Sequence, residues 1–363
     1  MKRIIAMAAI ILMLIVVLVA GCAQPAAGPG PSGPGPAPAP AGETVNLKFA
    51  TFIPPFDVYA EQMKAWADEL EAETDGRIKV TFFHAESLVK MPDLFDAVAA
   101  GTADIAMIDA NLTPERLAIS GCITLPMIFK SASQTQQTMW ALLQKYKEFN
   151  DEYDPVQVIW CHCPATSDAY GNKPMQNLDD LKGVKIACVT PYEVLSWKAL
   201  GATPVSMGPT EMFTALERGT VDAASGDFNQ AFIWKHFEIT KYRTDNIDIT
   251  ARVSPIIMNK KTIASIPSDL RPIFDKVTDG ARWSKQSGLA FEGFVENVTM
   301  PTILEHDKKV GNPPFYVLPD DERQKWLEKV KPVQEAWANE IEQKGLPGKA
   351  ILEDMLKFAE QFK

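Results

Sequence analysis

Three catalytic signatures are missing from this chain of 363 residues: no Walker-type phosphate loop, no HExxH and no GxSxG occurs. Each would place a nucleophile, metal or phosphate cradle at fixed spacing, and none is available here. The one GxGxxG match, Gly28 to Gly33, lies in a Pro-rich stretch with no strand before it and no helix after it. Ser87-Leu88-Val89-Lys90 spells SxxK, but the SDN and KTG partners of that signature are absent. Positive charge is scarce as well. Lys and Arg number 36 against 46 Asp and Glu, a net charge of −10, which argues against nucleic acid and against a polybasic membrane-binding face. Cysteine is limited to five residues.

What is present begins with an export signal. Lys2 and Arg3 precede an unbroken apolar run from Ile4 to Val19, followed by Ala20, Gly21 and Cys22. A short basic segment, an apolar core and small residues before a cleavage point read as a secretory signal. The run is shorter than the ~20 residues a spanning helix needs, so a retained transmembrane anchor is the weaker reading. Residues 23–43 are dominated by Pro, Ala and Gly. They cannot bury apolar surface and act as an extended spacer. The roughly 320 residues beyond it are too many for one simple core and fit two lobes.

Between Leu181 and Tyr242, short β-branched runs (Val184 to Ile186, Pro204 to Ser206, Val221 to Ala223) alternate with segments of helical period. This alternation predicts an open α/β sheet whose ligands lie outside the carboxyl ends of its strands. Strands are also expected over Val45 to Thr51, Arg77 to Phe83, Asp104 to Ile108, Val156 to Trp160 and Thr250 to Met258. A helix over Asp57 to Thr74 places Tyr59, Met63, Trp66 and Leu70 on one stripe. Further helices are expected at Asp93 to Ala100, Ser131 to Phe149, Pro267 to Thr302, Asp320 to Lys344 and Lys349 to Phe362.

The phrases DLKGVKI, LGATPV, TEMFTALERGTVD and FEITKY, with upstream ETDGRIKV, LFDAVAAGTADIAM and LPMIF, follow one another over nearly all of the chain beyond the spacer. In order and spacing they resemble the DctP-type solute-binding proteins of TRAP (tripartite ATP-independent periplasmic) transporters, in a lipoprotein form. The resemblance implies a two-lobe periplasmic-binding-protein-like α/β fold with a ligand cleft between the lobes and bracing C-terminal helices. It implies lobe I at 44–164 and 250–300, lobe II at 165–249 and the bracing helices at 301–363. It further implies a receptor and not an enzyme, with no cofactor, that captures a small organic solute by cleft closure and delivers it to small and large membrane subunits. LVAGC resembles a bacterial lipobox, so residues 1–22 would be removed down to a lipidated Cys22. The domain would then be extracytoplasmic and tethered to the membrane.

Four positions depart from the family pattern. An arginine that forks onto the solute carboxylate is replaced by Ala187, and a second arginine position corresponds to Thr166 and Ser167. The usual asparagine corresponds to Gly226, and Pro209 stands where an aromatic ring is common. Asp109 matches an acid that relatives use for hydroxyl or amino groups. Phe52 and Trp160 are the favoured ring contacts, with Phe228 a further lining residue; Phe56, Tyr170 and Tyr192 lie near the same strand ends. Asp57 and Asp227 each precede a helix, where capping is the favoured role; Asp168 and Glu193 are other acids near the cleft. Two readings of the lost arginines stay open: a carboxylate solute held by another cation such as Arg116 or Arg252, or a neutral, zwitterionic or cationic solute.

Cys122, Cys161, Cys163 and Cys188 remain after Cys22 is set aside. Cys161-His162-Cys163 suggests a metal, but in a regular strand the two cysteines face one way and the histidine the other. Buried thiols, or one bridge such as Cys163 to Cys188, are expected, and no metal. A sensor or adaptor for a membrane signalling partner, and an exported metal or thiol enzyme on the same scaffold, are the alternatives to a transport receptor.

Overall fold

The computed structural model describes residues 42–112, 115–252 and 254–363. The expected signal segment with Cys22 lies outside the described residues, as does nearly all of the Pro-rich spacer. Among the described residues no helix is long and apolar enough to cross a membrane.

The strands in chain order are β1 (Val45–Ala50), β2 (Ile78–Phe83), β3 (Ile105–Met107), β4 (Val156–Trp160), β5 (Asp168–Gly171), β6 (Lys185–Cys188), β7 (Thr203–Ser206), β8 (Ala223–Gly226), β9 (Tyr242–Asp245), β10 (Ile256–Asn259) and β11 (Tyr316–Val317). They form two sheets, ordered β2-β1-β3-β10-β4 and β11-β9-β5-β8-β6-β7. The chain leaves the first sheet after β4, builds most of the second, and returns with β10, which runs antiparallel to both β3 and β4. The chain crosses between the sheets at 161–167 and 246–255, and a third time between β10 and β11.

The helices are α1 (Val58–Glu73), α2 (Leu94–Ala100), α3 (Ala132–Lys145), α4 (Lys147–Asp151), α5 (Pro191–Ala199), α6 (Pro209–Glu217), α7 (Phe228–Ile233), α8 (Lys260–Ser265), α9 (Arg271–Val277), α10 (Gly280–Phe294), α11 (Met300–Val310), α12 (Asp320–Gln343) and α13 (Gly348–Gln361). The apolar stripe of α1 is buried as its spacing requires: Tyr59, Met63, Trp66 and Leu70 all lie in the core beneath the first sheet. The second sheet is covered by α5 and α12 on one face, where Trp197 and Trp326 meet edge to face. Its other face carries a smaller core around Tyr170, Met212 and Leu216. Near the end of the chain α12 packs on α5 of one lobe while α13 packs on α3 of the other.

The structure differs from the sequence reading in several places. The expected helix from Ser131 to Phe149 breaks at Tyr146 into α3 and α4. The tract from Pro267 to Thr302 is not one helix: α9 ends at Val277, and α10 reaches α11 through a π turn over Val295–Thr299. Strands β5 and β9 have polar sequences, DAYG and YRTD, that carry no strand periodicity. The C-terminal segment expected to hold only bracing helices supplies β11, which pairs in parallel with β9 in the second sheet. The pairing, not local propensity, makes that two-residue strand.

Candidate functional site

The carboxyl ends of β1 and β3 in lobe I face the carboxyl end of β8 in lobe II. On the lobe I side the loop after β1 delivers Asp57, whose Oδ1 accepts the Tyr59 backbone N–H at 2.9 Å and starts α1. On the lobe II side Asp227 does the same for α7, accepting the Gln230 N–H at 2.9 Å. Both acids are therefore helix caps, and both are also buried at the cleft. A cavity of about 340 Å³ that Asp227 but not Asp57 lines is bounded by Ala132, Phe291 and Glu292 on one side and by Asp168, Asp227, Phe228 and Asp248 on the other, with Lys130 at its wall. That is within the size range of small-ligand sites.

Arg252 lies in the second crossing and does not itself line this cavity. Its Nη2 donates to Gln230 Oε1 at 2.5 Å, and its buried Nε has no partner. Among the described residues it makes no ion pair. Gln230 is held in turn: its Nε2 donates to the Tyr170 hydroxyl at 3.0 Å, and that hydroxyl contacts His236 Nδ1 at 3.0 Å. A guanidinium presenting N–H donors outside any ion pair is a ready fork for a carboxylate.

Burial raises the carboxyls of Asp57, Asp109 and Asp227 above the ordinary range. Arg252 opposes the shift of Asp109 and Asp227 by its charge, and Asn111 bonds Asp109 Oδ1 through both its backbone and side-chain N–H groups. Burial followed by the negative charges of Asp227 and Asp57 pushes the Tyr59 hydroxyl well up. Burial holds His162 down at about 3, so it is a neutral imidazole.

The residues singled out in the sequence are not all brought together. Asp109 keeps part of its surface open at the end of β3, within reach of the Arg252 charge. Phe228 lines the cavity and packs on Phe315 at 5.1 Å between ring centroids. Gly226 ends β8, and a Cβ there would run into Gln230 Nε2 and lie 3.1 Å from the Tyr170 hydroxyl. The missing side chain is what lets Gln230 reach Arg252. Ala187 is buried in β6 in the same cluster as Tyr170, and Ser167 is buried where the crossing strands exchange backbone bonds with Ile249 and Thr250. Pro209 begins α6, and its carbonyl contacts His236 Nε2 at 3.1 Å. Phe52 is partly buried against both lobe I cores.

Trp160 needs correcting. It is 2% exposed and sits inside the lobe I core, 5.2 Å from Trp66 and 6.1 Å from Trp283 between ring centroids, not on the cleft wall. Strand alternation turned it to the core face. Phe56 is 80% exposed, and Tyr192 lines a separate groove against Trp337. Of the two candidate replacement cations, Arg116 pairs with Asp96 at 2.8 Å over the Phe95 ring, outside the cleft. Tyr59 and Gln230 were missed; a tyrosine at the first turn of a core helix looks like packing alone.

The four described cysteines are all free and buried. Cys122, Cys161 and Cys163 lie in one lobe I core and Cys188 in lobe II, so the bridge offered between Cys163 and Cys188 is not formed. As strand geometry requires, His162 points away from its neighbours, its ring edge against Tyr59 and its Nδ1 2.7 Å from Ser287 Oγ. No cluster of metal-ligating side chains occurs among the described residues.

Two α/β lobes joined by paired crossings, with polar side chains converging on the cleft from both, define a solute receptor of the periplasmic-binding type. The sequence profile of bacterial extracellular solute-binding protein family 7 (DctP) matches residues 49–340, and the chain belongs to that family. A TRAP periplasmic solute-binding protein from Desulfovibrio salexigens is similar at 25% identity with a TM-score of 0.79, covering 88% of this chain and 97% of the other. A TRAP solute-binding protein from Rhodoferax ferrireducens, solved with copurified benzoate, is similar at 26% identity with a TM-score of 0.78, covering 88% and 98%. The 2,3-diketo-L-gulonate-binding periplasmic protein YiaO of Escherichia coli is 25% identical over 49% of this chain and 55% of its own length. The protein is thus an extracytoplasmic solute-binding receptor of a TRAP-type transporter, working with membrane subunits, and not an enzyme.

Proposed function

We propose that the receptor captures a small organic carboxylate and that Arg252 is its anchor, taking the role left vacant at Ala187. The observation that carries this reading is a guanidinium at the cleft that, among the described residues, donates to one amide oxygen, leaves its Nε unpartnered and forms no ion pair. Leaving such a charge unpaired is costly unless a ligand completes it. Asp109, Gly226 and Phe228 shape the site with it, while Ser167, Ala187 and Pro209 support it from behind and Phe52 borders it. The benzoate of the Rhodoferax relative and the diketogulonate of the E. coli relative are carboxylates, which agrees with the assignment. Closure of the lobes at the crossings 161–167 and 246–255 would sequester the solute and present one shape to the membrane subunits.

The chain is also anchored in this reading. Residues 1–22 act as a lipoprotein signal, Cys22 carries the lipid and 23–43 form the tether. In this reading lobe I is 44–164 and 250–300, lobe II is 165–249 and residues 301–363 brace the two; the pairing of β11 with β9 supports counting that strand with lobe II.

The test is to release whatever small molecule the purified protein carries, identify it by mass spectrometry, and titrate it back calorimetrically into the wild type and Arg252→Met. A carboxylate whose affinity falls at least 100-fold in the variant supports the anchor. Equal affinity in both proteins overturns it.

A further inference from the structure

A chain of hydrogen bonds runs from the interior of lobe II out to Arg252, and each of its ends can act in only one way. At the inner end His236 Nε2 lies 3.1 Å from the carbonyl oxygen of Pro209, which can only accept. At the outer end Arg252 Nη2 lies 2.5 Å from the side-chain amide of Gln230, and a guanidinium can only donate. Between them His236 Nδ1 is 3.0 Å from the Tyr170 hydroxyl, and that hydroxyl is 3.0 Å from the other amide atom of Gln230. The links come from separate elements: Tyr170 from β5, Pro209 from the start of α6, Gln230 from α7 and His236 from the turn before β9.

The two ends fix every link between them. The Gln230 atom that meets Arg252 must be its oxygen, so its nitrogen faces Tyr170 and donates there. The Tyr170 oxygen is then an acceptor, and its own proton goes to His236 Nδ1. That nitrogen must be bare, so the ring proton sits on Nε2 and is donated to Pro209. Gln230 Nε2 also meets Met212 Sδ at 3.7 Å, and a turned amide would set its N–H groups against those of the guanidinium. Burial holds the His236 imidazole down at about 4, which keeps it neutral as the chain requires. Tyr170 and His236 are inaccessible to solvent, so water cannot replace a lost link. Gly226 belongs to the same arrangement, because a Cβ there would run into Gln230 Nε2 and crowd the Tyr170 hydroxyl.

We propose that Tyr170 and His236 are positioning residues for solute capture: through Gln230 they hold the Arg252 guanidinium in one orientation, with its remaining N–H groups left for the solute carboxylate. They act through the amide and not by touching the solute. A side chain ordered in advance spares the cost of ordering it on binding. The inference rests on the assignment of Arg252 as carboxylate anchor.

The test is nitrogen NMR of the purified, ligand-free protein labelled at histidine and arginine, with His236→Asn and Arg252→Met to assign the signals. We expect His236 to carry a single proton, on Nε2, at neutral pH. We expect the Arg252 guanidinium to rotate about tenfold faster in Tyr170→Phe, as loss of one hydrogen bond allows. Tyr170→Phe keeps the ring and removes one oxygen, so a tyrosine that only packs would leave the arginine signals as they were. A proton on Nδ1, or a guanidinium whose motion Tyr170→Phe leaves unchanged, overturns the relay and does not touch the anchor. Calorimetry with benzoate on the wild type, Tyr170→Phe and Arg252→Met tells the two apart; where benzoate does not bind, the nitrogen signals alone decide the relay. A fall of about tenfold in Tyr170→Phe with a larger one in Arg252→Met supports both. A fall in Arg252→Met alone overturns the positioning role and leaves the anchor standing. Binding that Arg252→Met leaves intact overturns the anchor, and the positioning role with it.

Discussion

Arg243 and Arg252 stand nine residues apart, one in β9 and one in the crossing that follows it, and their surroundings could hardly differ more. Arg243 is almost inaccessible and is paired with an acid of its own chain, although its Nε, like that of Arg252, has no partner. Its Nη2 meets Asp307 at 3.1 Å and the Phe237 carbonyl at 2.9 Å, and its ring-facing side covers Phe315. Asp307 belongs to α11, so this pair fastens that helix to the second sheet. Among the described residues Arg252 donates to a single amide oxygen and forms no ion pair, though its charge reaches Asp109 and Asp227. A buried charge held in an ion pair by its own chain is architecture; one at a cleft without such a pair is available to something from outside. The same distinction separates His236 in the interior of lobe II from the acids at the cleft. His236 is tied to Tyr170 and Pro209, whereas Asp57 faces only negative charge.

The comparison breaks most visibly under substitution. Arg243→Met strands Asp307 in the protein interior and is expected to cost about 3–5 kcal/mol of folding stability, as removal of one partner from a buried pair does. Arg252→Met strands nothing of comparable weight, and its stability is expected to stay within about 1 kcal/mol of the wild type. Urea denaturation of both variants checks this. An Arg252 variant as unstable as the Arg243 variant would mean that the cleft arginine is architectural too.

A second, smaller effect is a pH dependence. His162 is neutral in the folded protein, with burial holding it at about 3 against an ordinary value of 6.5. The unfolded chain takes up the proton first, so the contribution is complete above 6.5 and is lost as pH falls from there toward 3. Between pH 6.5 and 4.5 it amounts to roughly 2–3 kcal/mol. The stability of His162→Asn should therefore decline less than that of the wild type over this range; parallel curves would show that the histidine is not held neutral.

Gly226→Ala sharpens the link between Gln230 and Arg252. Its new methyl displaces Gln230 Nε2, which should cost about 1–3 kcal/mol through overpacking and weaken solute affinity about tenfold, equivalent to about 1.4 kcal/mol. Unchanged affinity in calorimetry would separate Gln230 from the site. Smallest of all is the response to reductant. The four cysteines of the described region are unpaired, so its melting temperature should not move on reduction; a clear fall would reveal a bridge.

How much of this was legible in the sequence depended on whether the information was local. Helix α1 announced itself by Tyr59, Met63, Trp66 and Leu70 at helical spacing with Asp57 at its cap. Alternation correctly put His162 on one side and its cysteine neighbours on the other. Alternation also says which residues share a face but not which face is the cleft, and Trp160 was misplaced for that reason. Strands β5 and β9 exist because each finds a partner remote in sequence, and DAYG or YRTD carries no trace of that pairing. Arg252 could be named only beside Arg116, because what separates them is a crossing between lobes that brings one to Gln230 and leaves the other with Asp96. The roles of Asp57 and Asp227 were half visible: capping is a local signal, and burial of the capping carboxylate is not.

The most direct test of the account is a thermal-shift screen of residues 42–363 against small organic carboxylates, run in parallel on the wild type and Arg252→Met. A true ligand at 100 times its dissociation constant stabilises the folded protein by roughly 2.7 kcal/mol. The account predicts that at least one carboxylate raises the melting temperature of the wild type and that none raises that of the variant. A carboxylate that shifts both proteins equally would contradict it.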